Sequence, residues 1–327
     1  MEQIAGGTLE ASGQGPSPAD DAEVLTGTEA KMALARQEDS RYQPSAGTTE
    51  DGAKRSAVRS EVPIPHPPFW GVKVVETIDL DEVFPYINDV ALIRGQWQVR
   101  KGAMSEEDYR ALLQEKVYPE LAALKEQVQA ERLLEPRVVY GYFPCWAEGD
   151  DLVVLEDDQQ TERLRFTFPR QKDDRHLCLA DYFAPRDSGR VDVVAFDLVT
   201  MGRVASEYSS SLFARDNYRD YLYFHGLSVE AAEALAEYWH RQIRRELGIA
   251  GNDAPEIRRL FSQGYQGARY SFGYPACPDL EDQVKLFALL DGERIGVRLT
   301  EEFSLDPEQS TNAIIVHHPE ARYFNVR

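Results

Sequence analysis

Apolar residues along this chain follow helical spacing in some stretches and strand spacing in others. After residue 105 they recur at intervals of three and four residues, which is the period of one face of an α-helix. These positions are Leu112, Leu113, Val117, Leu121 and Leu124. Ser105, with Asp108 three residues later, resembles the capping box that begins a helix. Pro119 predicts a kink or a break within this helix.

Period-two runs and continuous apolar runs predict the strands. Two β-prone runs at 137–142 and 151–156 flank a Glu-Gly-Asp turn, which indicates a hairpin. Residues 164–168 alternate apolar and polar side chains, as a half-buried strand does, and 192–200 is apolar enough for a buried strand. Later strands are predicted at 295–299, 313–316 and 323–326.

Two further helices are predicted in the C-terminal half. Residues 216–247 are rich in Ala, Glu and Leu, and they form either one long helix or two helices that are separated near Gly226, with Ser228 capping the second. A shorter helix is expected at 282–290. Because helices and strands come in blocks rather than as regular βα repeats, the pattern favours the α+β class over a doubly wound parallel sheet.

The first 60 residues differ from the rest of the chain. They contain a single aromatic residue, Tyr42, so they cannot bury enough apolar surface to offset the entropy of ordering. We therefore expect a disordered tail or linker at 1–60 and one folded domain at 61–327. Residues 62–70 hold four prolines and end in Phe69-Trp70, which predicts an extended strap with both rings anchored on the core. A proline-rich ligand for an SH3-type domain is the alternative.

Composition and charge narrow the classes of partner. The 327 residues carry a formal net charge of -20, which repels phosphate backbones and anionic lipid, so neither nucleic acid nor a membrane is an expected partner. The N-terminus lacks the pattern of a secretory signal, and a cytoplasmic location is expected. Three scattered cysteines (Cys145, Cys178 and Cys277) are too few for a disulfide framework.

Common catalytic motifs are absent from the sequence, and one loop stands out instead. His317 and His318 are neighbours that would point to opposite faces of a strand, so a shared metal is not expected. Residues 264–278 contain three glycines, two prolines, three tyrosines and one guanidinium, that of Arg269. Such a loop suits a planar ligand with a carboxylate, because arginine offers a forked pair of donors. A structural turn with Arg269 in a salt bridge is the alternative.

The same loop resembles that of a known family. YQGARYSFGYPACP at 265–278 is similar to the RxxxGYPACP loop in the C-terminal activation domain of cobalamin-dependent methionine synthase, the domain that binds S-adenosylmethionine. Five further stretches resemble that domain in the same order: TIDL at 77–80, LCLADYFAP at 177–185, AEYWH at 236–240, LTEEF at 299–303 and HPEARY at 318–323. The resemblance covers roughly residues 67–326.

The resemblance implies a single large α+β domain, with a twisted antiparallel sheet and flanking helices. It also implies that this domain binds S-adenosylmethionine and presents its methyl group to cob(II)alamin, which reactivates oxidised methionine synthase by reductive methylation. The cobalamin-binding domain would hold the cobalamin, in cis or in trans, and flavodoxin or another reductase would supply the electron. Methyl transfer from a sulfonium to cobalt needs alignment rather than an acid or base from this domain, so no catalytic residue and no metal ligand is expected.

The resemblance assigns site residues as well. Asp79 matches the acid at the amino-acid end of S-adenosylmethionine, and Arg269 matches the residue that clamps its carboxylate. Glu233 matches an acid near the sulfonium, and Tyr323 matches a ligand-contacting tyrosine. The loop residues whose backbone would approach adenine are Gly273, Tyr274, Pro275 and Ala276, with Tyr274 toward the methyl-transfer face. An ordinary helix cap at Asp79 and a solvated helix charge at Glu233 are the alternatives.

Departures from the family pattern limit the function that we expect of the chain. Gln263 stands where the family often has an acid, which removes one negative charge near the sulfonium. The cobalamin-domain motif DxHxxG and a cysteine triad for zinc are both missing from the sequence. We therefore expect a component of methionine synthase, as a separate subunit or as the C-terminal part of a longer chain, that does not make methionine alone. A non-catalytic module that caps a corrinoid protein, and a methyltransferase with another acceptor, are the alternatives.

Overall fold

The computed structural model describes residues 47–48, 54–172 and 175–326. Most of the disordered tail predicted at 1–60 lies outside these residues, so the tail and the domain boundary after residue 60 stay predictions. The described end of that segment contacts the domain: the Ser56 hydroxyl donates to Asp181 Oδ2 at 2.7 Å, and Arg59 pairs with Glu320. Within the described residues, none of the helices has the length and apolarity that crossing a bilayer requires.

Helices and strands alternate in blocks along the described chain. The strands are β1 (Gly47–Thr48), β2 (Lys54–Arg55), β3 (Gly71–Val75), β4 (Arg137–Glu148), β5 (Asp151–Leu155), β6 (Glu162–Thr167), β7 (Asp192–Thr200), β8 (Ala268–Tyr270), β9 (Arg298–Leu299), β10 (Leu305–Asp306) and β11 (Ser310–Val316). The α-helices are α1 (Leu80–Val83), α2 (Glu106–Leu112), α3 (Tyr118–Ala130), α4 (Arg203–Ala214), α5 (Tyr218–Glu246), α6 (Ile257–Leu260) and α7 (Asp282–Leu290).

One antiparallel sheet organises the fold. Its strand order is β6-β5-β4-β7-β11-β8, and β3 pairs with the first half of β4. The long strand β4 pairs with β3 through 138–142 and with β5 through 145–148, while β7 lies along its other edge. The predicted α+β class, with an antiparallel sheet and flanking helices, is confirmed.

Side chains of β7 are divided between two cores, because successive residues of a strand point to opposite faces. Val193, Ala195 and Val199 pack into the core that contains α5. Val194, Phe196 and Leu198 pack into the core that contains α7. Both faces of β7 are therefore covered, and every residue of this strand is buried. By the same alternation, Asp197 faces α5.

The predicted cap lies where the sequence places it, and the helical type changes next to the predicted kink or break at Pro119. The backbone amide of Asp108 donates to Ser105 Oγ at 3.0 Å, which caps α2. A π-helical turn at Leu113–Val117 joins α2 to α3, and Pro119 lies in the first turn of α3. Proline has no amide hydrogen to donate, and the wider turn accommodates its ring.

The structure resolves the choice between one helix and two at 216–247 in favour of one, since α5 runs unbroken through Gly226. A Cβ at Gly226 would lie 2.7 Å from Gln96 Cβ and 2.9 Å from Trp97 Cδ1. Close packing, not a break in the helix, therefore explains this glycine. Ser228 is buried, and its hydroxyl donates to the His225 carbonyl at 2.8 Å instead of capping a second helix.

We expect Gly226→Ala to lower the free energy of unfolding by about 1–2 kcal/mol, because the clash outweighs the better helix propensity of alanine. Urea denaturation followed by circular dichroism measures this change. Gly251→Ala is the matched control, since a Cβ there has no neighbour within 4 Å. Equal effects at the two positions would contradict the packing role of Gly226.

Three expectations about local structure are wrong in part. Phe69 does pack edge-on against Tyr140 and Tyr142, with ring centroids 5.6 and 5.1 Å away, but Trp70 is 40 % exposed and does not anchor the strap. Residues 323–326 are not a strand: Tyr323 and Phe324 are buried, but the segment forms no ladder of backbone hydrogen bonds. Of 295–299, only the last two residues form a strand, β9.

Candidate functional site

Strand β8 places the side chain of Arg269 beneath α5. Strand β8 lies at one end of the sheet order and pairs antiparallel with β11, where Ile315 is opposite Arg269. Ala268 and Tyr270 point into the core that contains α7. Arg269 therefore points to the other face, toward α5, and its side chain is only 4 % exposed.

Two glutamates of α5 balance the buried guanidinium of Arg269. Arg269 Nη2 donates to Glu233 Oε2 at 2.7 Å, and Arg269 Nε lies 3.7 Å from Glu237 Oε2. Burial by itself would lower the pKa of Arg269, but Glu233, Tyr323 and Glu237 outweigh it and hold that pKa above its ordinary value. The salt bridge that was the alternative to a ligand role is thus present in this structure.

A small cavity of about 20 Å³ lies between Arg269 and α5. Its lining residues are Tyr86, Asn88, Glu230, Glu233, Ala234, Glu237, Phe261 and Arg269. This volume holds about one water molecule, so a larger group enters only if a side chain moves. Glu233 is the member best placed to move, since its side chain is 24 % exposed while those of Arg269 and Glu237 are 4 % exposed.

A second, larger cavity of about 590 Å³ shares the walls Asn88 and Phe261 with the first. Its lining is mostly apolar and includes Lys125, but none of the site residues assigned from the resemblance. Volume alone would favour it for a small-molecule ligand. The chemistry favours the smaller cavity, where a buried cation meets several carboxyl groups.

Asp197 adds a buried carboxyl group beneath Arg269. It lies in the central strand β7 with no exposed surface, and β11 separates it from β8. Burial raises the pKa of Asp197 to about 7, helped by the nearby charges of Glu233 and Glu237 and opposed by Arg269 and the Ala313 amide. Arg269 therefore has acids on two sides, from the helix and from the sheet.

Asp79 lies outside the lining of this cavity. It is exposed and caps α1, since its Oδ1 accepts from the Asp81 amide at 2.9 Å. Its charge acts on Tyr238 of α5, whose ring packs edge-on against Tyr86 at 5.5 Å. The helix-cap role that was the alternative for Asp79 is thus present.

The loop residues 273–276 form a tight turn after β8. The Gly273 amide donates to the Cys277 carbonyl at 2.9 Å, and Gly273 has φ of +89°, a conformation that favours glycine. Ala276 and Cys277 are buried against the core that contains α7, while Tyr274 and Pro275 are partly exposed. Burial raises the pKa of the Cys277 thiol, which argues against a nucleophile here.

Tyr323 packs into the core that contains α7. Its ring lies 5.5 Å from that of Tyr270, and its electrostatic effect helps to raise the pKa of Arg269. Of the residues assigned from the resemblance, Arg269 and Glu233 thus line the cavity, whereas Asp79, Tyr323 and the turn at 273–276 do not.

Sequence reasoning missed two buried acids of this site, Glu230 and Asp197. Glu230 is 2 % exposed and lines the cavity one turn before Glu233. The spacing of Glu230, Glu233 and Glu237 places all three on one helical face, which is a signal that the sequence contains. For Asp197 the signal is an ionisable residue inside the otherwise apolar run 193–199 of β7.

Comparison with known proteins shows the family and the fold of the chain. Residues 79–327 match the family model described as vitamin B12 dependent methionine synthase, activation domain. A crystal structure of the MetH reactivation domain bound to AdoHcy shares the fold, with a TM-score of 0.74 and 27 % identity over 87 % of this chain and 90 % of that chain. The fold is thus that of a reactivation domain.

Curated relatives point the same way. Methionine synthase of Mycobacterium tuberculosis is 45 % identical over 287 residues, and that of Mycobacterium leprae is 44 % identical over 288 residues. Each match covers 84 % of this chain and 24 % of the relative, so the chain spans about a quarter of the length of these relatives. The chain belongs to the activation-domain family of vitamin B12-dependent methionine synthase.

Proposed function

We propose that this chain binds S-adenosylmethionine and presents its methyl group to cob(II)alamin held by the cobalamin-binding domain of methionine synthase. Reductive methylation would restore the active cofactor, with an electron from flavodoxin or another reductase. One observation supports this above the others: a buried arginine, Arg269, faces a cavity beside the carboxylates of Glu233 and Glu237. The AdoHcy bound to the related reactivation domain is the product that loss of the methyl group would leave.

The residues around the cavity suit the amino-acid end of this ligand. Arg269 Nη1 is buried and has no hydrogen-bond partner among the residues that the structure describes, so it can donate to a carboxylate. The ligand carboxylate would replace Glu233 on Arg269. Glu233 and Glu237 would then face the ammonium and sulfonium groups, which are opposite in charge to the carboxylates.

The remaining assigned residues would orient the rest of the ligand. S-adenosylmethionine supplies an activated methyl group on a sulfonium, so this chain needs only to hold that group in line with its acceptor. The exposed backbone of Gly273 and the partly exposed Tyr274 and Pro275 would contact the adenosine part, with Ala276 buried behind them. Tyr323 would hold Arg269 in place from the other side. Whether the cobalamin-binding domain acts in cis or in trans does not alter these contacts.

Isothermal titration calorimetry with S-adenosylmethionine and AdoHcy tests the proposal. Binding of both ligands is expected, and no heat at millimolar ligand would refute it and favour the non-catalytic capping module. A second arm supplies a cob(II)alamin-loaded partner domain and a reductant, and follows the corrinoid absorbance. Methyl transfer to a small acceptor without any corrinoid would instead indicate a stand-alone methyltransferase.

The proposed ligand role of Asp79 can be separated from its capping role. Asparagine caps helices about as well as aspartate, so Asp79→Asn should change the free energy of unfolding by less than about 0.5 kcal/mol. It removes the negative charge offered to the ligand ammonium, so affinity for S-adenosylmethionine should fall several-fold. Unchanged affinity in calorimetry would leave Asp79 as a helix cap only.

A further inference from the structure

Helix α5 presents a row of three carboxyl groups to the cavity beside Arg269. Glu230, Glu233 and Glu237 lie three and four residues apart, so they share one face of the helix, and all three line the cavity. Glu230 and Glu237 are buried, at 2 % and 3 % exposure. Glu230 is the member of this row that the family resemblance does not explain.

The charges around this cavity do not balance. Arg269 is the single cation in the lining, against three carboxyl groups there and Asp197 beneath. Arg269 is engaged with Glu233 and lies beside Glu237, which leaves Glu230 without a cation among the described residues that line the cavity. Burial, followed by the charge of Glu233, raises the pKa of Glu230 to about 8, so this carboxyl group holds a proton at neutral pH.

The groups that face Glu230 come from several elements. Glu233 and Glu237 lie on its own helix, Arg269 comes from β8, and Tyr86 and Asn88 come from the segment after α1. Gln96 of the π-helical turn at Ala91–Gln96 forms a side-chain hydrogen bond with Glu230. The excess of acid is thus a property of the whole lining, not of one helix.

An excess of buried acid selects the charge of an incoming ligand. A sulfonium carries a positive charge that offsets one carboxylate, whereas the thioether left after methyl transfer carries none. We propose that Glu230 is a specificity-determining residue, which favours the sulfonium ligand S-adenosylmethionine over its neutral thioether product AdoHcy. This inference rests on the proposed function and extends it to release of the product.

The sign of the effect follows from the charge difference between the two ligands. A sulfonium near Glu230 favours its carboxylate form, so binding releases a proton to solvent. AdoHcy brings no such charge, so its binding releases fewer protons. Linkage then requires the preference for S-adenosylmethionine over AdoHcy to rise with pH while Glu230 titrates, at most about tenfold per pH unit for one proton.

Calorimetric titration of both ligands at several values from pH 6 to pH 8.5 measures this preference. In the wild type, the dissociation constant of AdoHcy divided by that of S-adenosylmethionine should rise by about fivefold or more from pH 6 to pH 8.5. Glu230→Gln should make this change smaller, so that the ratio at pH 8.5 falls toward its value at pH 6, while any contribution of Asp197, whose pKa is about 7, remains in both proteins. The ammonium groups of the ligands also titrate near this range, but their contribution is common to wild type and variant and cancels in the comparison.

Glu207→Gln is the matched control, since it removes an exposed acid of α4 and should retain the wild-type pH dependence. Thermal unfolding and AdoHcy affinity at pH 6 check that Glu230→Gln folds normally. A pH dependence in Glu230→Gln equal to that of the wild type, or none in the wild type, would overturn the inference. Failure of both ligands to bind the wild type would refute the proposed function instead.

Discussion

Replacing Arg269 by alanine is expected to lower the free energy of unfolding at pH 7 by about 3–5 kcal/mol and to abolish measurable binding of S-adenosylmethionine. The guanidinium is buried and is the cation that balances Glu233, Glu237 and Asp197. Without it these carboxyl groups lie in a low-dielectric interior next to one another. The ligand would also lose the donors for its carboxylate.

Denaturation in urea at pH 7 and at pH 5 tests this expectation. Loss of the cation raises the pKa of the neighbouring acids, which then take up protons as the pH falls. The loss of unfolding free energy in Arg269→Ala should therefore be smaller at pH 5 than at pH 7. Arg203→Ala is the control, because its pair with Asp306 is 49 % and 45 % exposed and should change stability by about 1 kcal/mol or less. A deficit no larger than in this control would show that Arg269 does not stabilise the cluster.

Arg269→Lys separates stability from ligand binding. Lysine keeps the positive charge but lacks the forked donors of a guanidinium. We expect a smaller loss of stability than with alanine, yet a clear loss of affinity in calorimetry. Full retention of affinity would mean that charge alone, and not the planar fork, holds the ligand carboxylate.

The second large effect is expected from Asp197→Asn, and it should depend on pH. The folded-state pKa of Asp197 is about 7, above the ordinary value of 3.8. A carboxyl group whose pKa is raised on folding contributes most below its unfolded pKa, and this contribution is lost as the pH rises to the folded pKa. Between pH 4 and pH 7 the contribution of Asp197 to the free energy of unfolding should therefore fall by up to about 4 kcal/mol. The contribution of an asparagine at this position should not change with pH.

The measurement is the difference in unfolding free energy between variant and wild type at several pH values. At pH 4 the two should be nearly equal, because a protonated aspartate and an asparagine are both uncharged. The free energy of unfolding of the variant should rise relative to that of the wild type up to about pH 7. Above pH 7 the difference should be constant. Asp306→Asn, in a 45 % exposed position, should show no such trend. A pH-independent difference at Asp197 would contradict the raised pKa.

Local sequence signals predicted much of the fold. The cap at Ser105, the buried strand β7 and the helix α7 agree with their predicted positions, because each depends on residues close together in the chain. Local signals gave a wrong prediction where buried side chains had the sequence pattern of a strand. The apolar run at 323–326 resembles a strand, but its burial against Tyr270 requires no ladder. Trp70 is exposed although its neighbour Phe69 anchors the strap.

For the site, the loop motif indicated Arg269 and the turn that follows it, and the other stretches that resemble the family indicated Asp79, Glu233 and Tyr323. The motif could not indicate what faces Arg269, because Glu230 and Asp197 lie far away in the chain, on α5 and β7. Likewise, local spacing could not place Asp79 or the turn at 273–276 relative to the cavity. The positions of these residues relative to the cavity depend on the order of the strands in the sheet.

By itself, the sequence determined the α+β class, the family and an arginine in a glycine-rich loop, since periodicity, capping and motif are properties of neighbouring residues. Only the tertiary structure decided that this arginine is buried against Glu233, and that Glu230 and Asp197 are acids with raised pKa. The physical reason is that a pKa depends on burial and on nearby charges. Packing of α5 across the sheet creates both, because it removes water and brings charges from distant parts of the chain together.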